Sequence, residues 1–195
     1  PTAGFTCTPE VGFAPFMAVC TSSATNATNV NWTFVNDRTS ATTVATGASP
    51  AVTFDDADTY TVTQTVDNGI GDSDVAMGTI EGYPLAINSS VPSGTGPGTV
   101  AFTADIGGAA GLGGLLAWFV DGVLVSTSTG FFADLRTPGT YTIEFTFGSS
   151  TPPLVGTTSI QHVVGFGTPT AAFSASETEG AGPLDVTFTD ESTGI

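Results

Sequence analysis

The chain has 195 residues, with 18 Asp and Glu against 2 Arg, no Lys and a single His, giving a formal net charge of −16. That charge repels nucleic-acid phosphates and anionic lipid surfaces, which excludes both as electrostatic partners. Charged residues make up 10% of the chain, against about 25% in an average soluble domain, yet hydrophobic residues reach 40%, enough to exclude wholesale disorder.

Threonine covers the surface in place of charge, with 35 Thr alongside 25 Gly. Thr is β-branched and suits an exposed strand face. A Thr-rich, Lys-free surface points to an extracellular or particle-surface setting. Pro1 opens directly onto a strand pattern, which reads as a processed N-terminus or a fragment.

Taken in order, the first predicted strands carry Cys7 and Cys20, both at inward positions. A Trp strand follows at Asn31–Asp37, then a Tyr strand at Thr59–Val66 and an Asp67-Asn68-Gly69 turn. Two more strands begin around Ile87 and Val100. Gly107–Val125 is as long as a membrane span, but Asp121 and six Gly interrupt it, and its second half reads as a strand. A second Trp strand covers Ala117–Gly122, and a second Tyr strand covers Thr140–Phe147 after a Thr137-Pro138-Gly139 turn. Tyr141, Ile143, Phe145 and Phe147 share one face, with Thr and Glu on the other, the period of a half-buried antiparallel strand. His162 lies in a Ser159–Val164 strand and is expected at a surface or between domains. No segment shows a helical period.

Three segments align without gaps: Phe5, Gly12, Pro15, Ala18 and Cys20; Ile87, Gly94, Pro97, Val100 and Phe102; Phe173, Gly180, Pro183, Val186 and Phe188. The prolines lie 82 and 86 residues apart, so the chain is a tandem repeat. Residues 1–83 and 84–167 are predicted to form two β-sandwiches of about seven strands each, and 168–195 the first two strands of a third. Two strands alone cannot bury their apolar faces. Phe173, Leu184, Val186 and Phe188 therefore need partners, either from a longer array of which this is a fragment or from strands donated by a neighbouring chain.

These landmarks resemble the PKD domain, an immunoglobulin-like module of extracellular proteins. Its G-x-x-P-x-x-V-x-F element is met by Gly180, Pro183, Val186 and Phe188. Its G-x-Y-x-V-x-L-x-V-x-N-x-x-G element is met by Tyr60, Val62, Val66, Asn68 and, one residue late, Gly71. The W-D-F-G-D-G element is reduced to NWTFVND and AWFVDG. The resemblance covers nearly the whole chain and implies an all-β tandem array of Ig-like antiparallel sandwiches.

Cys7 and Cys20 are expected to form a disulfide, with two buried free thiols as the alternative. Asp55, Asp56 and Asp58, and Asp67, Asp72 and Asp74, are candidate oxygen ligands for Ca²⁺, which some PKD-like modules bind; turn chemistry alone also enriches Asp. Calcium apart, no cofactor is expected. Asn26, Asn31 and Asn88 begin N-glycosylation sequons. No catalytic residue is assigned, because no Ser stands in a nucleophile elbow and no Asp pair is singled out. The apolar segments containing Leu112, Leu115, Leu116, Phe131 and Phe132 are expected as subunit contacts, with folding back over their own sandwich as the alternative. The sequence thus reads as a non-enzymatic structural subunit of a filament, surface layer or virion surface. Its expected partners are copies of itself or neighbouring repeats. The alternative is a spacer, adhesive or carbohydrate-binding stalk of a larger secreted protein.

Overall fold

A computed structural model describes residues 1–167, 169–180 and 182–193. Thr168 and Ile195, the limits of the expected third repeat, lie outside the described residues. The chain is all-β apart from one 3₁₀ turn at Gly107–Leu112, and no helix is long and apolar enough to cross a membrane among the described residues.

The first sandwich is built from β1 (Phe5–Thr8), β2 (Val11–Phe13), β3 (Phe16–Ser22), β4 (Asn29–Asn36), β5 (Thr42–Thr46), β6 (Ala51–Phe54), β7 (Thr59–Asp67) and β8 (Ser73–Tyr83). A three-stranded sheet, β1-β3-β6, faces a five-stranded one, β2-β8-β7-β4-β5. All pairs are antiparallel except β2–β8, which run parallel with Gly12 opposite Gly82. The Tyr strand, β7, turns Tyr60, Val62, Gln64 and Val66 inward, as its period of two requires. Trp32, Phe34, Phe54, Val62 and Ile80 fill the core.

The second sandwich contains β9 (Ala86–Ser89), β10 (Gly98–Asp105), β11 (Leu115–Val120), β12 (Val123–Ser126), β13 (Gly130–Leu135), β14 (Gly139–Ser150) and β15 (Pro153–Val164). Sheet β13-β10-β9 faces sheet β12-β11-β14-β15 across Phe102, Trp118, Ile143, Phe145 and Phe147. The β11–β12 turn is Asp121-Gly122, with φ of 49° and 80°. Positive φ at both central residues matches the twist of the flanking strands and favours Asp-Gly at this place. A last hairpin, β16 (Phe173–Ala175) and β17 (Phe188–Asp190), pairs Phe173 with Asp190 and Ala175 with Phe188.

Two side chains recur with the same task in both sandwiches. The indole N–H groups of Trp32 and Trp118 donate to the carbonyls of Gly47 and Ser128, at 2.8 and 2.9 Å, just past the edge strands β5 and β12. A buried indole needs such an acceptor. The Tyr60 and Tyr141 hydroxyls donate to the carbonyls of Asp56 and Thr137, four residues upstream in each case. That contact is the tyrosine corner of immunoglobulin-like sandwiches.

Candidate interaction surfaces

The two sandwiches meet through side chains that belong in sequence to the first and in packing to the second. The parallel pairing of β2 with the end of β8 aims Val11 and Phe13 across the junction, where both pack against the second core. The Phe13 ring meets Phe147 edge-on, with centroids 5.6 Å apart. It lies so close to β15 that a Cβ on Gly156 would stand 2.4 Å from it. Tyr83, the last residue of β8, is buried in the second core, and its hydroxyl donates to Glu81. Burial, with the Glu81 carboxylate beside it, pushes the Tyr83 pKa up to about 12. Pro84 and Leu85 alone separate β8 from β9. The outer side of this junction is an open groove of about 490 Å³ between residues 6–11 and Pro152 and Pro153. The repeat pattern did not mark Phe13 as a junction residue, because a three-residue parallel strand has no period to read.

Cys7 and Cys20 face each other on β1 and β3, joined by a disulfide across a Cα separation of 4.0 Å and almost wholly buried. Closing such a loop stabilises a fold by about 3 kcal/mol in the chain-entropy account.

The acidic candidates fall into two groups, and most of these carboxylates accept hydrogen bonds from nitrogen donors. Asp58 takes both N–H groups of the Arg38 fork, at 2.6 and 2.7 Å, which holds its carboxyl below the usual range. Buried Asn36 donates to Asp56 and Asp58, while its own carbonyl oxygen accepts from the backbone of Arg38 and Thr39. Asp55 is exposed. In the second group Asp67 accepts from Asn29 and the Gly69 backbone, and Asp72 accepts from Asn68. Asp74 accepts from the Ala3 backbone at 2.8 Å, and backbone N–H donors lower its pKa. Among the described residues no three Asp, Glu, His or Cys side chains gather as a metal site.

Asn26, Asn31 and Asn88 are all exposed, Asn31 standing on the outer face of β4 opposite Trp32. The apolar contact candidates divide. Leu112 and Leu116 pack against the second core, Ala109 of the 3₁₀ turn is fully buried, and Phe131 stacks on Phe102 at 5.5 Å. Part of the Gly/Leu segment therefore closes its own sandwich, because Leu116 and Phe131 fall on the inward faces of β11 and β13. Leu115 and Phe132, on the opposite faces, are exposed by 83% and 79%. In the last hairpin Phe173 and Phe188 lie 5.8 Å apart and exposed, Leu184 is exposed, and Val186 is half-buried.

His162 corrects the sequence expectation. It is 1% exposed, packed edge-on against Phe102 at 5.3 Å, with Nε2 lacking a hydrogen-bond partner among the described residues. It points inward because it shares a face of β15 with Ile160 and Val164. Burial lowers its pKa below the ordinary imidazole value.

No protein-family model matches the chain, and no curated protein matches it in sequence. Among solved structures it is similar to fibronectin(III)-like modules of Clostridium thermocellum CbhA, at 11% identity over 83% of this chain and 94% of that one, with a TM-score of 0.34. It is also similar to three N-terminal domains of the bacteriophage RB49 highly immunogenic outer capsid protein, at 13% identity over 100% and 69%, TM-score 0.36. A third similar structure comes from a 1.5-MDa bacterial ice-binding adhesin concerned with host cell surface retention, at 14% identity over 89% and 68%, TM-score 0.36.

Proposed function

We propose that the chain is a non-catalytic structural module of an extracellular surface: PKD-like sandwiches at 1–83 and 84–167, with a third repeat begun at 168–195. It acts as a stiff spacing unit in a filament, surface layer or virion surface, and it associates with copies of itself through strand edges and exposed apolar side chains. The observation that carries this reading is the junction. Two sandwiches joined by a flexible linker would each close their own core, whereas Phe13 and Tyr83 of the first repeat pack into the second. Such sharing couples the two modules mechanically and suits a load-bearing spacer. Both Trp are buried, so neither offers a stacking platform for a sugar.

Electron microscopy of the native material tests the assembly. Regular filaments or a lattice are expected. Dispersed particles with no higher order would overturn the self-associating part of the proposal.

A further inference from the structure

We propose that β12 is a self-association edge, onto which a second copy of this chain adds its own β12 antiparallel, joining two four-stranded sheets into one. This deepens the self-associating role above and rests on that reading. Among the described residues β12 is the terminal strand of its sheet and pairs only with β11. Its register against β11 shifts at Trp118–Phe119, but Leu124 and Val123 remain paired opposite Phe119 and Val120. On its free side the strand presents unpaired backbone groups flanked by Val123, Leu124 and Val125, exposed by 66%, 55% and 45%. Strand edges are ordinarily guarded by charge, proline, shortness, a bulge or a covering loop. β12 is four residues long beside a register shift, but it carries no charge and no proline.

The occupant follows from charge and symmetry. In a chain of net charge −16, copies approach most cheaply through a surface without carboxylates, and no charged side chain stands between Asp121 and Asp134. The edge is also complementary to itself. With Leu124 opposite the partner's Leu124, Val123 faces the partner's Val125, so each apolar side chain meets another across a two-fold axis. β5, the equivalent edge of the first sandwich, is uncharged too, but it carries Thr42, Thr43 and Thr46, with Val44 its one large exposed apolar side chain. It gains little by leaving water.

Sedimentation equilibrium of the full 195-residue chain, from micromolar to hundreds of micromolar, tests this. The wild-type mass is expected to rise from 19.5 kDa towards twice that value. Leu124→Lys is expected to weaken association at least tenfold while leaving circular dichroism and melting unchanged, since Leu124 is exposed. The substitution reduces the net negative charge, so general electrostatics alone would push the other way. Val155→Lys, the same charge change at an exposed site on the far edge strand, is expected to associate as wild type does. A wild-type chain that stays monomeric at every concentration overturns both this edge and the self-association reading. Association that survives Leu124→Lys, or that is abolished by Phe132→Lys instead, overturns the edge and leaves self-association standing.

Discussion

His162 is buried against Phe102 in the second sandwich with its Nε2 unpartnered among the described residues, and that placement gives the protein a defined response to acid. The folded chain resists protonation because burial disfavours the imidazolium, while the unfolded chain takes up the proton near the ordinary value of about 6.5. Below that pH the unfolded state binds more protons than the folded one, so stability falls as pH drops from about 7 towards 5. The lowered carboxyls of Asp58 and Asp74 act in the same direction, but only as pH falls below the unfolded carboxylate value of about 4. Urea midpoints for wild type and His162→Leu at pH 7 and 5 separate the two contributions. The wild type is expected to lose stability over this window and the variant to lose markedly less; equal slopes would remove His162 as the cause. The sequence did not betray this residue. Val155 and Val163 on the outer face of β15 are as apolar as Ile160 and Val164 on the inner face, so the period gave no direction.

At the scale of single elements, the Trp and Tyr strands were the legible part of the chain. In the Tyr strands Thr holds most outer positions, Glu144 being an exception, and Tyr, Val, Ile or Phe holds the inner ones except Gln64. That pattern specifies both strand and face, and Asp121-Gly122 specifies the hairpin between β11 and β12. The hydrogen bonds that lock these strands were not legible, because the indole and phenol acceptors are backbone carbonyls of any residue type. The second half of Gly107–Val125 was legible as strand, but nothing in its apolar run marked β12 as the edge of its sheet. The β1–β3 pair depends on Cys7 and Cys20, and its contribution is measurable. Reduction is expected to lower unfolding free energy by about 3 kcal/mol, read as a lower urea midpoint with an intact tyrosine-corner environment below the transition. An unchanged midpoint would mean the reduced chain retains the same constraint by packing alone.

At the scale of the whole molecule, the shared packing of Phe13 and Tyr83 is expected to make the two sandwiches move as one body. Thr95 in the second repeat stands at the position of Phe13 in the first, two places before the aligned prolines, and brings no aromatic ring to the next junction. At the first junction the close approach of Phe13 to Gly156 leaves no room for a side chain on β15. Phe13→Ala removes the ring that bridges the two cores and is expected to destabilise the second sandwich by about 2 kcal/mol, less than a fully buried Phe would cost because Phe13 is half-buried. Hydrogen exchange in β14 and β15 reads that loss directly, although the substitution lies in the first repeat.

Residual dipolar couplings for backbone amides of both sandwiches, measured in one weakly aligned sample, report whether the two move together. A single alignment tensor is expected for residues 5–164 in the wild type, splitting into two tensors of different magnitude in Phe13→Ala. Two independent tensors in the wild type would contradict it, because the sandwiches would then be separate beads on a linker rather than one spacing unit.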